Sequence, residues 1–271
     1  MKIDLSQEFL KTAVSAARLA GDIIIKNLGH LSKEDVQTKQ AFDFVTKVDR
    51  WSEAVIMQTI REKFPSHRFL TEETIKQEDT GDYRWIIDPL DGTTNFIHSY
   101  PMFSVSIALE YKSEIIMGVV FDPLKDELFH AVGGGGAFLN NRKITVSGVA
   151  SLDRSLVATG FPFRTREMID HYLRAFKEIF LGVSDIRRAG SAAIDLSYVA
   201  AGRFEGFFEL KLSPWDIAAG VLLIEEAGGV VTDFGGGKEY LSSGNIVAGN
   251  GYIQPQILKT IRQVFQGIVD K

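Results

Sequence analysis

The chain has 271 residues, 30 of them Lys or Arg and 35 Asp or Glu, for a formal net charge of −5; 45% are hydrophobic and 24% charged. That balance lies far from the charge-rich, apolar-poor composition of disordered chains, so a sizeable core can be buried in one large domain or two closely joined ones. No strongly basic block is present to grip nucleic acid as a primary ligand. The absence of cysteine removes disulfides, thiolate zinc sites, iron–sulfur ligation and cysteine nucleophiles together, leaving the chemistry to oxygen and nitrogen.

The N-terminal residues Met1-Lys2-Ile3-Asp4 reach an acid before any apolar run long enough for a signal peptide, and stretches such as 217–224 fall short of the roughly 20 residues that span a bilayer. A soluble cytoplasmic protein with no membrane partner is expected. From Leu5, apolar residues recur at Phe9, Ala13, Ala16, Ala20, Ile24 and Leu28, the spacing of one helix face, with Gly29 as a stop. Residues 43–49 alternate like a short strand or turn. A second helix is expected from just after Asp49, carrying Trp51, Val55, Ile60 and Phe64 up to Pro65, which cannot continue it.

Residues 85–87, 104–109, 115–121 and 127–132 are short runs rich in β-branched and aromatic side chains, and read as an antiparallel meander. The four glycines 133–136 invite comparison with a phosphate-cradling loop, but no Gly-Lys-Ser/Thr follows and Ala137-Phe138-Leu139 resumes a strand, so a hairpin turn is expected. Beyond about residue 150 the pattern alternates: strands at 156–158, 204–208 and 230–232, helices at 169–180, 192–201, 215–227 and 257–264, joined by short Gly-bounded turns. Residues 1–150 thus read as an N-terminal α+β half and 151–271 as a C-terminal α/β half, packed as one body.

The segment richest in chemistry is Trp85-Ile86-Ile87-Asp88-Pro89-Leu90-Asp91-Gly92-Thr93-Thr94-Asn95-Phe96. An apolar strand delivers two carboxylates three residues apart, with proline stiffening the turn between them and glycine allowing close backbone approach beside two hydroxyls. Acids held together repel unless a cation intervenes; alternatively, Asp88 and Asp91 are turn formers and Asp91 or Thr93 caps a following helix. Two more acidic positions bear on the choice. Glu72 and Glu73 end another apolar run, and Glu72 with Asp88, Asp91 and the Leu90 carbonyl would supply the oxygen ligands that Mg²⁺ prefers. Asp216 follows Ser213-Pro214-Trp215, and this spacing also fits a capping box with proline at the first helical position. The histidines show no metal-ligand spacing. His98 reads as a loop or packing residue, and Arg187-Arg188 as a solvated pair or a phosphate-steering one.

Residues 85–96 resemble the first signature of the inositol monophosphatase family, and Trp215-Asp216-Ile217-Ala218-Ala219-Gly220, running on to Glu225-Glu226-Ala227-Gly228-Gly229, resembles its second; Asp49 and Glu72-Glu73 stand upstream in matching order. The resemblance implies a layered α/β/α/β/α sandwich of the sugar phosphatase type. It implies metal ligands at Glu72, Asp88, the Leu90 carbonyl, Asp91 and Asp216 for two or three Mg²⁺ ions. Catalytic roles fall to Asp49 and Thr93, which would orient and deprotonate the attacking water, with Glu72 beside them. Gly92 and Thr93 would offer backbone N–H groups to phosphate, while Gly190, Ser191, Ala192 and Glu209 would contact the polyol, with Asp91 and Asp216 bordering the substrate.

The implied activity is hydrolysis of inositol 1-phosphate to inositol and phosphate. Alternatives are fructose-1,6-bisphosphatase, alone or as a dual activity, and phosphatases for histidinol phosphate or a nucleotide 3′-phosphate. The family also implies lithium inhibition and a homodimer, for which Phe161-Pro162-Phe163, Arg164 and Arg166 form a candidate contact segment. A non-enzymatic alternative is a regulatory protein that binds transcription machinery; loss of a metal carboxylate would mark it, and none is lost.

Overall fold

Helix α1 (Lys2–Asn27) turns Phe9, Ala13, Ala16, Ala20 and Ile24 into the core, as their spacing requires. The computed structural model describes residues 2–40, 42–74, 81–162 and 165–268. A hairpin of β1 (Val36–Gln40) and β2 (Asp43–Thr46) leads into α2 (Lys47–Lys63). This helix starts ahead of Asp49 rather than after it. Thr46 is the N-cap and the Asp49 carboxylate accepts its N–H at 2.8 Å, a capping box that draws Asp49 into the first turn.

After β3 (Arg68–Thr71) and β4 (Tyr83–Asp91), the short α3 (Thr93–Ile97) precedes β5 (Ser104–Tyr111), β6 (Glu114–Asp122), β7 (Glu127–Val132), β8 (Gly136–Leu139) and β9 (Arg142–Ile144). These seven strands form one sheet in chain order. β3 and β4 run parallel, and from β4 onward every neighbour is antiparallel, the meander expected from the short apolar runs. The glycines after β7 turn a hairpin. Its Gly134 and Gly136 N–H groups donate to the Glu226 carboxylate at 2.6 and 2.7 Å, so the anion in this loop is one of the protein's own side chains.

The rest of the chain adds β10 (Leu156–Thr159), α4 (Ile169–Phe180), β11 (Asp185–Arg187), α5 (Ala192–Ala200), β12 (Gly206–Glu209), α6 (Pro214–Glu226), β13 (Val230–Thr232), α7 (Tyr240–Ser243), β14 (Ile246–Gly249) and α8 (Gln254–Phe265). A second, five-stranded sheet has the order β11-β10-β12-β14-β13, with β10 parallel to both neighbours and β14 antiparallel to both of its own.

Three apolar clusters bind the layers. Phe9, Ile24 and Ile56 of α1 and α2 pack on Trp85, Ile107 and Val119 of the first sheet. Between the sheets, Ile194, Leu196, Ala219 and Leu223 of α5 and α6 meet Ile86 and Val120 on one side and Phe207 and Ala248 on the other. Tyr172 and Ile179 of α4 join Ile257 and Ile261 of α8 on the outer face of the second sheet. The result is an α/β/α/β/α sandwich. α5 and α6 are buried along almost their whole length, which is why their sequences are apolar on every face. Among the described residues no helix is long and apolar enough to cross a membrane.

Candidate active site

Strand β4 pairs with β5 in register up to Asp88 opposite Ser106, and resumes at Asp91 opposite Ser104. Pro89 and Leu90 make the irregularity, the kind of place where a sheet tolerates proline. Both aspartates are buried at this strand end, and the first turn of α6 brings Asp216 to them. One carboxylate oxygen from each of Asp88, Asp91 and Asp216 lies within 4.8 Å of the others. Asp216 also accepts the Ser213 N–H at 2.7 Å, with Pro214 at the helix start. Capping and clustering coexist because a carboxylate has two oxygens.

Asp91 is tied to the start of α5: its Oδ2 accepts the Ser191 hydroxyl at 2.5 Å and the Ala193 N–H at 2.9 Å. Burial pushes the Asp91 carboxyl up to about 6 against these hydrogen bonds. Asp88 is pushed well above the carboxylate range, first by burial and then by the charges of Glu72, Asp91 and Asp216. Three buried acids side by side, two of which, Asp88 and Asp91, lose their protons only reluctantly, form a site short of positive charge.

Asp49 stands behind this cluster. Its Oδ2 is held by the Thr46 N–H and hydroxyl at 2.8 and 2.5 Å, while its Oδ1 lies 2.8 Å from the Thr93 hydroxyl. Burial raises Asp49 to about 6, with the hydrogen bonds from Thr46 and Thr93 opposing. Lys39, from the β1–β2 hairpin, sets its ammonium 3.0 Å from Glu72 and 2.5 Å from Glu73. Burial raises Glu73 to about 7, against the pull of Lys39.

A cavity of about 330 Å³ opens over the Asp88, Asp91 and Asp216 carboxylates and Glu72. Of the residues nominated from the sequence, Glu72, Asp88, Leu90, Asp91, Gly92, Thr93, Gly190, Ser191, Ala192, Glu209 and Asp216 all border it, and Asp49 reaches it through Thr93. The two glycines are required as such. Gly92 and Gly190 have φ of +92° and +89°, and a Cβ would come within 2.8 Å of the Met102 carbonyl oxygen or 2.6 Å of the Arg188 guanidinium.

Of Arg187-Arg188, the first pairs with Asp185 at the exposed sheet edge and the second borders the cavity. His98 is exposed and outside the cavity lining. In the candidate contact segment, Phe161 packs on Tyr172 and Phe176, and the Arg166 guanidinium sits 3.4 Å from the centre of the Phe42 ring; Phe163 and Arg164 lie outside the described residues. Sequence reasoning did not nominate Lys39, Asn95 or Asp195. Asn95 donates to the Met102 and Ala189 carbonyls and so stitches α3 to the loop before α5. Asp195 had a signal that went unread: a lone charge in an otherwise uncharged, fully buried helix.

The donor set suits a hard divalent cation, with buried oxygen ligands only, no sulfur or imidazole among them, and carboxylates whose ionisation in the folded chain is opposed. Asp88, Asp91 and Asp216 would hold it, with Glu72 and the Leu90 carbonyl at the rim of the same cavity.

A layered sandwich that brings such a cluster together from a strand end and the start of a helix packed between its two sheets, beside a hydroxyl–carboxylate pair, has the layout of a phosphatase. The profile of the inositol monophosphatase family matches residues 5–266, and the chain belongs to that family. It is 48% identical over 254 residues to the Nus factor SuhB of Escherichia coli strain K12, covering 93% of this chain and 95% of that one. Among solved structures, the extragenic suppressor protein suhB from Bartonella henselae superposes with a TM-score of 0.91 at 40% identity, over 96% of this chain and 100% of the other. The inositol monophosphatase from Anabaena (Nostoc) gives 0.86 at 41% identity, over 95% and 96%.

Proposed function

We propose that this phosphatase is an Mg²⁺-dependent phosphomonoesterase acting on a small polyol monophosphate, inositol 1-phosphate before others. The observation that carries the reading is the placement of the Asp88, Asp91 and Asp216 carboxylates beside the Thr93–Asp49 pair, in one cavity whose other wall offers Ser191 and Glu209. Bound Mg²⁺, as two or three ions, supplies the positive charge that a phosphate dianion and an in-line displacement require. The other steps belong to the chain. The Thr93 hydroxyl gives its hydrogen to Asp49 Oδ1 and keeps lone pairs to receive one from the attacking water, so the proton moves toward Asp49. Burial makes Asp49 more basic than an exposed aspartate, which suits that role near neutral pH. Gly92 and Thr93 take the phosphate end, and Glu209 with residues 190–192 the hydroxyl-bearing leaving group.

The test is phosphate release from inositol 1-phosphate with Mg²⁺, with Ca²⁺ and in chelator, beside fructose 1,6-bisphosphate, histidinol phosphate and a nucleotide 3′-phosphate. Turnover is expected with Mg²⁺, poorly with Ca²⁺, whose looser shell holds in-line geometry badly, and not in chelator. Lithium is expected to inhibit. Undiminished turnover in chelator overturns the mechanism, and a clear preference for another phosphate moves the substrate.

A second reading rests on the similarity to a protein named a Nus factor. A regulatory role with transcription machinery would here accompany catalysis, because every nominated carboxylate is retained. Sedimentation of the purified protein with transcription complexes tests it; no co-sedimentation removes the second role.

A further inference from the structure

Glu53 is a carboxylate with no task in the mechanism above. It lies four residues beyond Asp49, on the same face of α2, and is 2% exposed. Taking a carboxyl group out of water is costly, so what it holds needs an account. Its two oxygens are spent on one loop: Oε2 accepts the Glu73 N–H at 2.9 Å and Oε1 accepts the Thr74 hydroxyl. Closing the turn is not the reason, because the Thr71 hydroxyl already donates to the Thr74 carbonyl at 2.9 Å. Strand β3 ends at Thr71, and just beyond it the Glu72 N–H donates to the Ile87 carbonyl at 3.3 Å. The Cα of Glu72 thus lies between two anchored N–H groups, its own held by β4 and that of Glu73 held by Glu53. With the peptide planes on both sides fixed, so is the direction of its Cβ. That direction matters, because Glu72 borders the cavity and its charge is among those that push Asp88 and Asp91 up. Acids gathered this closely repel, and a freely turning backbone would let Glu72 swing away.

We propose that Glu53 is a positioning residue for divalent-cation binding: by holding the Glu73 N–H and the Thr74 hydroxyl it fixes the backbone from which Glu72 faces the cavity over Asp88, Asp91 and Asp216. Glu53 touches neither cation nor substrate and acts only through Glu72. A carboxylate suits the task, since each oxygen takes one donor and a hydrogen bond to a charged acceptor is roughly twice as strong as a neutral one. Lys39 grips the Glu72 carboxylate at 3.0 Å from the other side, but it fixes the side-chain end and not the backbone. Groups that orient a metal ligand in this way commonly govern affinity as strongly as the ligand's neighbours do.

The inference rests on the reading of this cavity as an Mg²⁺ site, and the test separates the two. The dissociation constant for Mg²⁺ alone is measured by titration calorimetry, without substrate, for wild type, Glu53→Ala, Glu53→Gln and Thr71→Val. It is expected to rise about tenfold in Glu53→Ala. In Glu53→Gln the amide oxygen still accepts the Glu73 N–H and the amide nitrogen can donate to the Thr74 hydroxyl, so a rise of about threefold is expected. Thr71→Val cuts the turn's other hydrogen bond and is expected to stay within about twofold of wild type. In turnover, the Mg²⁺ concentration giving half the maximal rate should rise in Glu53→Ala while kcat at saturating Mg²⁺ recovers. Wild-type affinity in Glu53→Ala, or in Glu53→Gln should the alanine variant not fold, overturns the role of Glu53 and leaves the Mg²⁺ site standing. An equal loss in Thr71→Val, or a kcat that stays low at every Mg²⁺ concentration, overturns it too, because Glu53 would then only brace the loop. Absence of Mg²⁺ binding by wild type overturns the reading of the site and this assignment with it.

Discussion

The Thr93 hydroxyl has one hydrogen and two acceptors in reach, Asp49 Oδ1 at 2.8 Å and the Leu90 carbonyl at 3.1 Å. Only donation to Asp49 prepares it to accept a proton from water. Thr93→Ala is therefore expected to lower kcat about a hundredfold or more with KM little changed, and Thr93→Ser to recover most of the loss. An unchanged kcat in the alanine variant would remove Thr93 from the reaction. Asp216 separates two roles. Asp216→Asn keeps an oxygen for the Ser213 N–H, so the denaturation midpoint should report a stability change of about 1 kcal/mol or less, while Mg²⁺-dependent turnover collapses. Normal turnover would leave Asp216 a cap alone. At this scale the residue types were legible in the chain, but the division of labour within each was not. Asp49 and Asp216 each spend one oxygen on a helix start, and where the other oxygen points is set by contacts far along the chain.

Among the elements, α6 packs its backbone directly on the first sheet at Gly118. A Cβ there would stand 2.9 Å from the Ala219 carbonyl oxygen and 3.0 Å from its Cα, both backbone atoms that cannot turn aside. Gly118→Ala is expected to destabilise the fold by about 1–3 kcal/mol, read from a denaturant midpoint. It should also weaken Mg²⁺ binding, because α6 carries Asp216 against the strand end. A neutral substitution would show that the helix yields freely. The long amphipathic α1 and the antiparallel meander could be read from the chain, since their periods extend over many residues. β9, β11 and β14, three or four residues each, carry too few positions for a period to show. The start of α2 was misplaced because Thr46 and Asp49 look like strand residues until the capping box joins them.

Across the whole molecule the buried acids make stability depend on pH and on cation together. Without metal, Asp49 and Asp91 titrate near 6 against an ordinary value of 3.8, and Asp88 also lies above it. A carboxyl raised in the folded state holds its proton more tightly there than in the unfolded chain. The stability it contributes is present below about pH 4 and is lost as pH rises to about 6. A cation that binds the ionised cluster restores it. The rise in Tm on adding Mg²⁺ over chelated protein should thus be small near pH 4.5 and grow through pH 6, and a pH-independent rise would contradict the linkage. A homodimer, implied by the family resemblance, is tested by light scattering, where about twice 30.1 kDa is expected and a fully active monomer would refute it.

What the sequence determined by itself was local and chemical: which segments are amphipathic, where proline and glycine end them, and that only oxygen ligands were on offer. Its two motifs also named Asp88, Leu90, Asp91, Gly92, Thr93 and Asp216, and the family resemblance beyond them added Glu72, Gly190, Ser191, Ala192 and Glu209, all of which border the cavity. What only the tertiary structure decided was convergence. Asp88 and Asp91 at the end of one strand, Asp216 at the start of a distant helix and Asp49 behind Thr93 meet because α5 and α6 are clamped between two sheets. The meeting of Lys39 with Glu72 is likewise tertiary, and no local pattern records it, since burial and charge proximity arise only when separate segments close on one another.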